Sequence, residues 1–162
     1  MRVYLPATAA DLSADSISPR TAHAATPALA AVFPEEDQEG LEVSASLCAA
    51  DSSVMLLAVP GAEALADRRV VIAADVEEEQ VREVPAGDDV LPGTVELTAP
   101  VEWDAVAALL VDEADAEPDV RAARTGDEAA FERAADADLL WYDVSERDAL
   151  AEELDAGRRR LR

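Results

Sequence analysis

Apolar residues recur along this chain with two different periods, and the changes of period divide it into elements. Arg69–Asp75 (RVVIAAD) is apolar and β-branched through its first half, the pattern of a strand covered on both faces. Ala107–Val111 and Leu139–Asp143 (LLWYD) are two further apolar runs of strand length. Thr94–Ala99 alternates instead: Val95, Leu97 and Ala99 share one face and Thr94, Glu96 and Thr98 the other, which predicts a strand with one wet face. Met1–Leu5 reads as a short strand stopped by Pro6, because proline cannot donate to a ladder.

The helical period is clearest in Leu41–Val59, where Val43, Leu47, Ala50, Val54 and Leu57 follow one another at steps of four and three and share a face. Its other side (Ala45, Cys48, Ala49, Met55, Leu56) is hardly polar, so the helix is expected to be buried on both sides or packed on a second protomer. Shorter helices are predicted over Thr21–Phe33 (restarted near Pro27), Glu77–Val84, Pro118–Ala123, Gly126–Ala135 and Glu146–Leu154, the last capped by Ser145-x-x-Asp148 with Leu150 and Leu154 inward. Arg121 and Arg124 are read as closing the helix that follows Ala107–Val111.

Five strand-like runs are each followed by a short polar break and an acid or amide placed just before an apolar residue: VYLPATAADL, VVIAADVEEEQV, VELTAPVEWDAV, ALLVDEADAEPDV and LLWYDVSERDAL. Acids are favoured at helix N-termini, so this reads as repeated strand-to-helix chemistry. The spacing is too irregular for a solenoid. Only seven residues join Thr94–Ala99 to Ala107–Val111, fewer than a parallel crossover needs, so those strands are antiparallel neighbours or are not adjacent. The elements predict a single α+β domain over residues 1–157, about five short strands in a mixed sheet packed with helices, followed by a basic tail at 158–162.

Composition adds constraints. The chain has 162 residues and only six aromatics, so its core must be built from many small side chains. It contains no lysine or asparagine and only two isoleucines, a G+C-biased vocabulary. Thirty-six carboxylates against 13 arginines give a net charge of −23, which repels phosphate backbones and anionic lipid and argues against nucleic-acid and membrane partners. A salt-tolerant host with generally acidic proteins would account for that charge without any partner. One cysteine, Cys48, excludes a disulfide framework. With no apolar leader and no stretch read as long enough for a membrane span, the expected location is the cytoplasm. The segment Gly157–Arg162 (GRRRLR) reverses the charge of everything before it, as expected of arginines at a helix C-terminus or of a segment docking on an acidic patch.

MRVYLPAT at the start, TPAL at Thr26–Leu29, RRVVIAADV at Arg68–Val76, VDEADAEPDVRAA at Val111–Ala123 and LLWYD at Leu139–Asp143 resemble a family of small actinobacterial proteins of unknown function over nearly the whole chain. The resemblance implies a bacterial cytoplasmic protein with no activity assigned to its family. A histidine often precedes the Val-Asp pair in that family; here Leu110 stands there, so no histidine-based function carries over.

The missing residue types exclude much chemistry. Without lysine there is no P-loop and no Schiff base, and DEAD at Asp112–Asp115 resembles a helicase box in spelling only. There is no GxGxxG for a dinucleotide and no GxSxG elbow, and no cofactor is expected. His23 is the only histidine; a Cys48–His23 or Ser–His23–Asp site stays formally open, but Cys48 reads as an inert helix thiol and His23 as a helix-surface residue. The remaining candidates are Asp112, Asp115 and Glu117, whose oxygens at a strand end could hold a hard cation. An EF-hand would need glycine where Glu117 stands. The competing reading places Asp115, Glu117 and Asp119 in solvent at a helix N-terminus. The expectation is a non-catalytic module that binds a protein partner or forms a homo-oligomer; the alternative is a carboxylate-dependent, metal-assisted enzyme.

Overall fold

A computed structural model describes residues 1–85 and 87–160, with side chains through residue 157. The chain is α+β, as its pattern predicts, but the sheet is wider than expected and antiparallel throughout. Among the described residues it has seven strands: β1 (Arg2–Ala7), β2 (Thr21–His23), β3 (Val70–Asp75), β4 (Val81–Glu83), β5 (Thr94–Leu97), β6 (Val106–Asp112) and β7 (Leu139–Tyr142). Their order is β4-β5-β2-β1-β3-β6-β7, and every neighbouring pair is antiparallel. β5 and β6 are therefore not adjacent, one of the two arrangements their short connection allows. The strands missed by sequence, β2 and β4, are three residues each, too short to display a period of two.

Three local expectations yield to this pairing. Thr21–His23 is strand rather than helix, because β1 and β5 take it between them; the helix α1 (Pro27–Val32) starts only at Thr26, whose hydroxyl accepts from the Leu29 amide, with Pro27 in the first turn. Within Glu77–Val84 the chain forms a single 3-10 turn, Glu78–Gln80, and then pairs with β5. Pro6 does not end β1 but lies inside it, opposite Val71. It is tolerated because β2 pairs with β1 only around Tyr4, and the Pro6 carbonyl is taken instead by the Arg20 guanidinium at 3.0 Å.

The long helix α2 (Gln38–Leu57) is capped by the Asp37 carboxylate and lies across β1, β2 and β3. Its inward face is Leu41, Ala45, Ala49, Ala50, Ser53, Val54 and Leu57. Val43 and Leu47, expected inside, are exposed. The small side chains of Ala45 and Ala49 face the strands with Leu41, and Val43 and Leu47 point out. By length and composition alone α2 would suit a membrane span, which corrects the expectation that no stretch reaches one. Ser53, fully buried, donates to the Ala7 carbonyl at 2.7 Å and accepts from the Val70 amide at 3.1 Å, joining α2 to both central strands.

The opposite face of the sheet (Val3, Leu5, Ala7, Val70, Ile72, Ala74, Leu109, Val111) packs with Leu12, Leu150 and Leu154. The last two come from α5 (Arg147–Arg160), which extends beyond the predicted Leu154 and through the start of the basic tail; the side chains of 158–160 and residues 161–162 lie outside the described residues. Its lead-in is capped by Asp143 and Glu146 rather than by Ser145 and Asp148. The fivefold strand-to-acid unit is a structural regularity of another kind: β1, β3, β5, β6 and β7 each lead into a 3-10 turn with an acid in its first turn.

Candidate functional site

The acidic stretch begins at the end of β6, beside the start of β3, where Val70 faces Val111. Asp112 is fully buried there and is held by Arg69, itself 1% exposed: Arg69 Nη2 reaches Asp112 Oδ1 at 2.8 Å, Nε reaches Oδ2 at 3.0 Å, and the Arg69 amide donates to Oδ2 at 2.7 Å. Arg69 also donates to the Ala137 carbonyl at 3.0 Å, which ties the approach to β7 to the same centre. Arg68 donates to the Asp112 carbonyl at 3.1 Å and to Glu117 Oε1 at 2.8 Å. Asp67 accepts from Arg121 at 2.9 Å and from Arg124 at 2.8 Å. Three consecutive residues, Asp67-Arg68-Arg69, therefore fasten β3 to the β6 end and to α3 (Glu117–Ala123).

This arrangement engages two of the three candidate carboxylates with arginines. Asp112 faces inward with both oxygens committed, Glu117 is engaged by Arg68, and Asp115 lies exposed in the 3-10 turn before α3. Asp75 pairs with Arg2 at the opposite end of β3, and Asp143 caps the turn before α5, so neither joins them. Among the described residues no group of three or more His, Cys, Asp or Glu side chains is placed to hold a metal ion. Nor do Arg121 and Arg124 close their own helix: Arg124 reaches across to the carbonyls of Leu57, Ala62 and Leu65 and secures the loop after α2.

His23 is not on a helix surface. It lies in β2, 3% exposed, with Nε2 3.0 Å from the Ser52 hydroxyl of α2, while Nδ1 finds no hydrogen-bond partner among the described residues. A serine–imidazole contact is the first requirement of a nucleophilic dyad, but the others fail. No acceptor orients Nδ1, and burial lowers the imidazole to about 4, so it is a weak base at neutral pH. The contact joins β2 to α2. Cys48, one turn before Ser52, is half-buried, and burial together with Asp51 raises its thiol above the ordinary range, which keeps it protonated.

A groove of about 580 Å³ runs between residues 9–15 and α5. Its one cation, Arg147, is already committed: it donates to the Leu12 carbonyl at 2.8 Å and lies 4.2 Å over the Trp103 ring.

Among the described residues β7 has no strand on its outer side. It closes one side of the sheet and pairs only with β6 among the described residues. Its four residues, Leu139-Leu140-Trp141-Tyr142, carry no charge, and Leu140 and Trp141 are 37% and 63% exposed. A profile of known families covers residues 1–151, including every stretch quoted above for the resemblance. The chain belongs to DUF6912, a family of unknown function. No curated protein and no solved structure matches it.

Within this DUF6912 chain, sequence reasoning missed the residues that organise the acidic stretch, Arg68 and Arg69. A signal was present: two adjacent arginines open a central strand in a chain of net charge −23, and buried arginines require carboxylates. The exposure of β7 had no comparable signal, since LLWYD reads the same at an edge as in the centre of a sheet.

Proposed function

We propose that this DUF6912 protein is a non-catalytic module that associates with another protein or with a second copy of itself through the β7 edge of its sheet. The observation that carries the reading is an uncharged strand at the sheet edge with two large apolar residues, Leu140 and Trp141, turned to solvent. Edge strands present unpaired backbone groups, and proteins that do not use them guard them with charge, proline or brevity. The other edge of this sheet is guarded in that way: β4 is three residues long and two of them, Arg82 and Glu83, are charged and exposed. Arginines engage Asp112 and Glu117, and the buried His23 imidazole beside the half-buried Ser52 has no acceptor at Nδ1 among the described residues, which favours a non-catalytic reading. Addition of a strand to an open edge is a recurrent mode of recognition, in which main-chain bonds give affinity and alternate side chains give specificity.

Sedimentation velocity across a wide range of protein and salt concentrations, together with titration of strand-forming peptides followed by Trp141 emission, tests this reading. Concentration-dependent association or a blue shift on peptide addition is expected. A strict monomer that binds no such peptide overturns it.

A further inference from the structure

The charge around β7 indicates what would occupy it. The strand is bracketed by Asp138 and Asp143, with Asp136 and Glu146 close by in sequence, and all four are exposed. The arginines nearest in sequence are committed elsewhere, Arg133 to Asp119 at 2.9 Å and Arg147 to the Leu12 carbonyl, and Arg69, which reaches the Ala137 carbonyl, is paired with Asp112. Hydrogen bonds from the Ser145 hydroxyl and amide hold the Asp143 pKa below the ordinary carboxylate range, which favours its ionised form. The edge is thus an uncharged apolar strip with a negative charge at each end.

A second copy of the chain fits this edge poorly. Antiparallel pairing of two β7 strands sets Leu140 opposite Leu140 or Trp141 opposite Trp141, because only alternate residues turn their backbone groups outward; either register leaves Asp138 of each copy one step along the ladder from Asp143 of the other, so like charges crowd both ends. The bodies so joined each carry −23. A strand with positive ends meets the same two carboxylates favourably, and the long-range field of the protein draws it in. The side chains specify the middle of that strand. Leu139 packs towards α2 with Leu110, and Tyr142 packs into the cluster on the opposite face, so apolar surface lies on both sides of the edge.

Resting on the reading of β7 as an association edge, we infer that its occupant is an extended segment of a different protein, apolar in the middle and carrying arginine or lysine at both ends, which adds to β7 as an eighth strand. Main-chain hydrogen bonds seat it, Trp141 and Leu140 cover its two faces, and Asp138 and Asp143 select its charged ends.

The test uses the full chain and two fluorescein-labelled peptides, Arg-Val-Ile-Thr-Val-Arg and the same peptide with glutamate at both ends, read by anisotropy at several salt concentrations. The arginine-ended peptide is expected to bind at least tenfold more tightly, with an affinity that falls as salt rises. Trp141→Lys and Leu140→Lys each reduce that affinity at least tenfold while leaving the melting curve in place; both positions are exposed, so both variants fold. Asp138→Asn with Asp143→Asn brings the two peptides close to equal affinity, which separates charge selection from general stickiness. Equal binding of both peptides by the parent protein, or binding indifferent to the lysine variants, overturns the inference. Dimerisation through β7 that excludes peptide also overturns it but leaves the association edge standing, whereas a strict monomer that binds neither peptide removes both.

Discussion

Asp112 and Leu139 face each other across the β6–β7 ladder, yet the two strands treat their surroundings in opposite ways. At Asp112 a charge is fully enclosed and every oxygen is taken by Arg69 or its amide. One and two residues beyond Leu139, Leu140 and Trp141 are turned to solvent at a strand edge with no neighbour on its outer side among the described residues. Asp112, which looks chemically active in the sequence, is saturated, and Leu140 and Trp141, which look like ordinary core, are not. Buried charge must find partners within its own chain or the fold fails, so it is spent on stability. An apolar edge costs little to leave open.

The largest effect should come from breaking the saturated side. Asp112→Ala leaves Arg69 charged and unpaired in the interior and is expected to destabilise the protein by about 3–5 kcal/mol in urea denaturation. Replacing both partners, Arg69→Met with Asp112→Leu, should recover most of that loss; a double variant as unstable as the single one would show that packing, not charge, dominates.

A buried imidazole with one nitrogen left without a partner among the described residues gives the intermediate scale. His23 titrates at about 4 in the folded chain against 6.5 ordinarily, so its effect is absent above pH 6.5, where the imidazole is neutral in both states. As pH falls from 6.5 to 4 the unfolded chain takes up a proton that the folded one resists; stability drops over that window, by roughly 3 kcal/mol in all, and this contribution is flat below it. Denaturation curves of the parent and of His23→Gln at pH 7, 5.5 and 4 isolate this effect from that of the carboxylates. Parallel pH dependence in the two proteins would mean that His23 is protonated without resistance.

Ser53→Ala removes a donor to Ala7 and an acceptor for Val70 where α2 meets the central strands, and should destabilise by about 1–3 kcal/mol. The smallest stability change is expected at the open side: Trp141→Lys should alter unfolding by no more than about 0.5 kcal/mol, since it adds charge where the side chain is already wet. Loss of several kcal/mol there would mean that Trp141 is part of the core and that the contrast between the two strands is false.

Much of the fold was legible. Runs such as Arg69–Asp75 and Ala107–Val111, the alternation of Thr94–Ala99, and the inward Leu150 and Leu154 were read correctly because burial writes a period into the residues themselves. Thr21–His23 and Val81–Glu83 were not, because strands of three residues exist through their partners and carry no period of their own. The face of α2 was half legible: Ala50, Val54 and Leu57 are inside, while Val43 and Leu47 gave way to the alanines that let the helix approach the sheet. The acidic stretch was legible as a carboxylate cluster but not as an arginine-bound one, since its cations lie some 43 residues earlier in the chain.

The sequence by itself determined the class of this protein, its alanine-rich packing and its net charge, because each depends on residue types or on local periodicity. Only the tertiary structure decided which carboxylates are enclosed and which apolar strand is left at the edge. Both depend on strand order, and strand order is set by long-range pairing that leaves no mark on the residues of a single strand.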